Sequence, residues 1–301
     1  MADARKLSVV ASALSGDARE AMSRSREMGF GGLVFDAHTG SLDLPALSVT
    51  GRREFGYLLK TSGQALVAVR ADIGPKGFGP GADIDRLLAG LDRILQFARD
   101  LNAGAVTIDL GPLPEPDEPV KPKPTISPEQ AGVILIPSSS APEPPPPPVA
   151  TRAPDPKFAA HIDGALRALC EIAERYQVMI AGASSLSSFP SIDRAIRAAA
   201  CPWLGINLDP VAMLQDCWST HEIFSRLGGS IIHVLARDAI RGDAGRIRPM
   251  PVGEGNVKWR ELLDALDGAD YRGWITFDPS ELSDPATALR TGLARLSATS
   301  L

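Results

Sequence analysis

The chain has 301 residues, 44% of them hydrophobic and 22% charged, with a formal net charge of −5 at pH 7. That is apolar material for one large core, and Lys and Arg gather into no basic stripe, which argues against nucleic acid as a partner. No stretch approaches the roughly 18 apolar residues of a membrane span, MADARKLSVVASALSGDARE lacks a signal-peptide run, and three cysteines (Cys170, Cys201, Cys217) without CxxC spacing argue against a disulfide framework, so a cytoplasmic protein is expected.

From the N-terminus, short apolar runs alternate with segments of helical period. KLSVVAS (6–12), GLVFDA (32–37) and ALVAVRAD (65–72) read as the first three strands. The glycine-rich GPKGFGPG (74–81) lacks the spacing of a phosphate-binding loop and reads as a flexible connection. Ile84, Leu87, Leu88, Leu91, Ile94, Leu95 and Ala98 then recur at helical spacing before a fourth strand, AVTIDLG (105–111). Residues 112–156 break the rhythm with 16 of the 26 prolines, a composition that favours extended, solvated chain. Phe158, Ile162, Leu166, Leu169, Ile172 and Tyr176 resume the helical period. VMIAGAS (178–184), LGINLD (204–209), IIHVLARD (231–238) and GWITFD (273–278) complete eight strands, with helical leucines at Leu262, Leu263 and Leu266 and at Leu289, Leu293 and Leu296.

Strands alternating with helices imply a parallel sheet, and eight such units in this length predict a (β/α)8 TIM barrel. The predicted organisation is one α/β domain over residues 1–301, with 112–156 as a proline-rich insertion after the fourth strand. That insertion is a tolerated linker, a lid over the C-terminal face of the barrel, or a PxxP-type ligand for a partner protein. An open, doubly wound sheet is the alternative; it is weakened because no GxGxxG follows the first strand.

Several strand ends carry chemistry. Asp36, Asp72, Asp109, Asp209 and Asp278 all stand at such ends, Arg70 shares a strand face with Asp72, and His38 follows Asp36 by two. Five carboxylates in one mouth could hold a hard cation through waters, or cap the elements that follow. Asp209–Pro210 and Asp278–Pro279 have the pattern of a helix N-cap followed by proline at the first helical position. Period-2 alternation puts His233, Leu235 and Arg237 on one face. His233 is a buried core histidine or a catalytic base. Arg237 is a substrate-binding guanidinium, or an ion-pair partner of Asp209, Asp238 or Asp278. Asp109 is a further substrate-binding candidate. Glu254, within GEG, folds over the mouth or occupies a glycine turn.

MGFGGLVFDA, EIAERYQVMIAGASS, GINLDP, SIIHVLARDA, MPVGEGNVKWRELLDAL and YRGWITFDPSE together resemble the xylose isomerase-like TIM barrel superfamily of sugar phosphate isomerases and epimerases. The resemblance implies a divalent metal (Mn, Mg, Co or Zn) held by a glutamate ending the fifth strand, an aspartate on the sixth, a histidine on the seventh and a glutamate on the eighth. A further histidine often lies three residues after that aspartate. Such a metal polarises a sugar hydroxyl and carbonyl while a carboxylate moves a proton. In this chain those positions carry Ala183, Asp209, Leu235 and Asp278, with Ala212 at the fifth. Only Asp209 and Asp278 retain oxygen ligands, so no metal is expected unless the site is rebuilt. Arg237 stands where the family often has a lysine. Three readings follow: a metal-deficient barrel binding a small sugar-like, polar or phosphorylated ligand; an active isomerase or epimerase rebuilt around Asp209, Asp278, Arg237 and Asp109; or an interaction protein acting through the insertion.

Overall fold

The computed structural model describes residues 5–39, 42–116, 155–185, 187–242 and 245–299. Its strands in chain order are β1 (Lys6–Val10), β2 (Gly32–Asp36), β3 (His38–Thr39), β4 (Leu42–Asp43), β5 (Ala65–Ala71), β6 (Ala105–Asp109), β7 (Ile180–Ala183), β8 (Leu204–Leu208), β9 (Ile231–Ala236), β10 (Asp238–Arg241), β11 (Ile247–Met250) and β12 (Trp274–Phe277). The eight expected strands close into one barrel in the order β1-β12-β9-β8-β7-β6-β5-β2, all neighbours parallel. The fold is a single-domain (β/α)8 TIM barrel. β3 pairs with β4 and β10 with β11 as short antiparallel hairpins outside it.

Helices cover the barrel because their apolar stripes have nowhere else to go. They are α1 (Ala18–Glu27), α2 (Val49–Ser62), α3 (Ile84–Asp100), α4 (Pro156–Tyr176), α5 (Phe189–Ala199), α6 (Pro210–Asp216), α7 (Thr220–Leu227), α8 (Trp259–Gly268) and α9 (Pro285–Thr299). The stripe read from the sequence in α3 buries Leu91, Ile94, Leu95 and Ala98; that of α4 buries Ile162, Leu166, Leu169 and Ile172. Asp83 and Asp155 cap these two helices by accepting from the N–H groups of Arg86 and Lys157. No helix among the described residues is long and apolar enough to cross a membrane.

The proline-rich insertion expected at 112–156 falls largely on residues 117–154, which lie outside the described residues. Its two ends belong to the barrel. Leu113 is 5% exposed and its N–H donates to Ser187 Oγ at 2.6 Å, while Ser188 Oγ donates to Glu115 at 2.9 Å. At the other end Asp155 and Pro156 start α4.

Two local expectations are corrected. The loop 74–81 is anchored: Phe78 is fully buried, and its N–H donates to Leu110 O at 3.0 Å. Gly77 (φ 49°) approaches so closely that a Cβ there would lie 2.2 Å from the same carbonyl, so glycine serves close packing at this point. The seventh barrel strand, β9, stops at Ala236, and Asp238 opens the β10–β11 hairpin. The reason is the Asp238 carboxylate, 3% exposed, which accepts from the backbone N–H groups of Ala239, Gly253, Gly255 and Val257 and from the Trp259 indole.

Candidate active site at the barrel mouth

The C-terminal ends of the barrel strands surround a cavity of about 470 Å³. A second cavity of about 570 Å³ adjoins it and shares Ser184, Ser185, Asp209, Ala212 and Arg237 with it. The carboxylates of the mouth serve two purposes at once. Each strand passes into a turn or helix whose first N–H groups need an acceptor. Asp209 Oδ1 therefore accepts from Val211 N at 2.9 Å and caps α6. Asp278 Oδ1 accepts from Ser280 N at 3.1 Å, Asp109 Oδ1 from Gly111 N at 2.9 Å and Asp72 Oδ1 from Gly74 N at 2.8 Å. The helix expected directly after Asp278 begins only at Pro285, so Asp278 closes a turn instead.

In Asp278, Asp209 and Asp109 one oxygen is spent locally and the other engages across strands. Asp278 Oδ2 accepts from Arg70 Nη1 at 2.9 Å, and Arg70 Nε donates to Asp36. Asp36 Oδ2 in turn accepts from Ser12 at 2.8 Å. Asp209 Oδ2 accepts from Arg237 Nη1 at 2.7 Å, and Arg237 Nη2 pairs with Glu281. Asp109 Oδ2 accepts from Ser185 Oγ at 2.7 Å. Arg237 thus joins one of its expected partners, Asp209, and one that the strand pattern did not reveal, Glu281; Asp238 is consumed by its loop.

Burial shapes the charges. It acts first to weaken both guanidinium cations, but Asp36 with Asp278 outweighs it at Arg70, and Asp209 with Glu281 at Arg237. Both pKa values stay above the ordinary arginine value. The Asp209 carboxyl is pushed above its ordinary value by burial, aided by the charge of Glu281; Arg237 and the Val211 N–H oppose this but do not cancel it. Arg237 is itself shared between two carboxylates, Asp209 and Glu281.

His233 lies below the mouth, 2% exposed, and does not line the cavity. Its Nδ1 donates to Asn207 Oδ1 at 2.8 Å, which leaves Nε2 to accept from the Thr276 hydroxyl at 2.6 Å; Thr276 pairs with Ser8 at 2.6 Å. Burial lowers the imidazole pKa to about 4 and keeps the ring neutral. Glu254 lies away from the cavity, in a turn where its N–H donates to Pro251 O at 2.9 Å and its carboxylate is 3.9 Å from Arg295. His38 lines the cavity edge, half-exposed, with Asp43 3.2 Å from its Nδ1.

Ala183, Ala212 and Leu235 form part of the cavity wall beside Asp209 and Asp278. The five positions that the resemblance assigns to a metal therefore share one cavity, yet three carry methyl or isobutyl groups, which cannot ligate. Each of the two retained carboxylates faces an arginine. Among the described residues no group of three or more His, Cys, Asp or Glu side chains is arranged to hold a metal ion. These residues do not fit a divalent metal.

A closed parallel barrel, a helical coat and a cavity at the C-terminal strand ends with charged and apolar lining define a (β/α)8 barrel. A model of the xylose isomerase-like TIM barrel family matches residues 22–299. The chain belongs to that family. No curated protein matches the sequence. Among solved structures, a xylose isomerase domain protein from Planctomyces limnophilus is similar at TM-score 0.72 and 14% identity, covering 99% of this chain and 98% of that one. The apo form of 3-keto-D-glucoside 4-epimerase from E. coli gives 0.67 at 17% identity, covering 98% and 99%. A xylose isomerase-like TIM barrel protein from Mycobacterium smegmatis, in complex with magnesium, gives 0.64 at 16%, covering 93% and 88%.

Proposed function

We propose that this protein binds a small, sugar-like polar ligand in its barrel mouth without a divalent metal. The observation that carries this reading is the conversion of the five converging positions: Ala183, Ala212 and Leu235 in place of ligands, and Asp209 and Asp278 bound to arginines. Hydroxyl groups of a polyol match the carboxylate oxygens and guanidinium N–H groups that line the cavity. Ala183, Phe189, Ile192 and Leu235 give an apolar wall for the carbon face of such a ligand. An uncharged ligand is favoured over a phosphorylated one, because each arginine already serves two carboxylates and a phosphate would have to take it from them.

The test is calorimetric titration with Mn²⁺ of the wild type and of the variant Ala183→Glu, Leu235→His, Asp278→Glu. The wild type should show no stoichiometric binding, and the variant, with three ligand positions restored, should bind Mn²⁺ measurably more tightly than the wild type. Tight one-to-one binding by the wild type sinks the reading. A thermal-shift panel of pentoses, hexoses and their phosphates then searches for the ligand, with the uncharged sugars expected to stabilise.

A second reading, an isomerase or epimerase with a rebuilt site, is favoured by one observation. The Asp209 carboxyl lines the cavity with a raised pKa, as suits a group that takes a proton from carbon beside a carbonyl and returns it. Arg237, bound to it, would polarise that carbonyl. Deuterium uptake by a ketose in D₂O, lost in Asp209→Asn, would support this activity.

A further inference from the structure

Arg70 and Arg237 stand in the barrel mouth between four carboxylates. Arg70 bridges Asp36 on β2 and Asp278 after β12. Arg237 bridges Asp209 after β8 and Glu281 in the segment leading to α9. Both retained ligand positions of the family pattern, Asp209 and Asp278, therefore hold a guanidinium. The remaining oxygens of Asp36, Asp209 and Asp278 are taken by Ser12, Val211 N and Ser280. Two fixed cations supply the two positive charges that a divalent ion would bring.

We infer that the guanidinium groups of Arg70 and Arg237 have taken over the place and the charge of the divalent cation in this mouth, and that they, as much as the missing ligands, exclude a metal. This inference rests on the metal-free reading above and adds its cause. A guanidinium stays charged at any pH the protein meets and is tethered to its strand, so an entering cation meets positive charge and finds the carboxylates occupied. The same two residues assemble the mouth: Arg70 ties β5 to β2 and to the end of β12, and Arg237 ties the end of β9 to that of β8 and to the segment before α9. That cross-linking would otherwise fall to the ion.

The experiment titrates Mn²⁺ into wild type, Arg70→Gln, Arg237→Gln and the double variant, following free Mn²⁺ by electron paramagnetic resonance and folding by circular dichroism. The folded double variant, with Asp36, Asp209, Asp278 and Glu281 freed, should bind Mn²⁺ at least about tenfold more tightly than the wild type, since two adjacent positive charges are gone. Arg237→Lys, which keeps the charge, should show no gain. A folded double variant with no gain, or an equal gain in Arg237→Lys, overturns the inference while leaving the metal-free reading intact. Tight binding by the wild type overturns the reading itself. Should the double variant fail to fold, Arg237→Gln carries the test alone: a gain supports the inference, and no gain overturns it.

Discussion

Trp259, at the start of α8, donates its indole N–H to Asp238 Oδ2 at 3.0 Å, and both side chains are buried. The bond closes a loop that runs from the end of β9 past the β10–β11 hairpin. Four backbone N–H groups converge on the same carboxylate, so one side chain sets the course of a segment beside the mouth. Asp238→Ala would take the acceptor from five donors, of which those of Ala239 and Trp259 are buried and the other three partly buried. The expected loss of stability is about 3 kcal/mol or more, measured as the shift in urea midpoint. A change within about 0.5 kcal/mol would mean that the loop keeps its path without the clamp.

Low pH should act through His233. Its folded pKa is lowered to about 4, below the ordinary value for histidine. Between about pH 6.5 and pH 4 the unfolded chain therefore binds a proton that the folded chain refuses, and stability falls as pH falls through that window. The contribution is fully present above about pH 6.5 and has dropped by about 3 kcal/mol at pH 4. Urea unfolding at pH 7 and pH 4.5 should show a smaller difference in His233→Gln than in the wild type. Identical pH dependence in both proteins would place the titration elsewhere.

Deleting residues 117–154 and joining Pro116 to Asp155 through a short flexible linker should change stability by less than about 2 kcal/mol, given the proline-rich composition of the deleted stretch. Extending the deletion to 112–156 should cost more. It removes Leu113 from the core and the Asp155 cap from α4, together about 3 kcal/mol. Equal midpoints for the two deletions would contradict the packing of Leu113.

Chelation gives a further check. Dialysis against EDTA should leave the thermal midpoint unchanged, because the mouth is held by Arg70 and Arg237. A fall of several degrees, restored by Mn²⁺, would show that a bound ion contributes to stability.

The barrel was legible in the sequence because its signals are local. Each of the eight strands is a short apolar run bounded by a break in period, and stripes such as Leu91, Ile94, Leu95 and Ala98 report burial along a single helix. The strand-end positions of Asp209, Asp278 and Arg237 were legible for the same reason, as were the alanines and leucine at the family's ligand positions. Partner choice was not. Arg70 meets Asp278 across 208 residues and Asp36 across 34, and no spacing rule links such residues before the sheet closes with its particular stagger. Glu281 was missed because it lies in the irregular segment between β12 and α9. Phe78 reads as part of a flexible loop, since the backbone hydrogen bond that anchors it reaches Leu110, at the end of a neighbouring strand. His233 shares a strand face with Arg237, yet its depth in the barrel interior, where Asn207 and Thr276 enclose it, separates the two. Periodicity tells which way a side chain faces. Only barrel closure decides how deep it sits and which charge it meets.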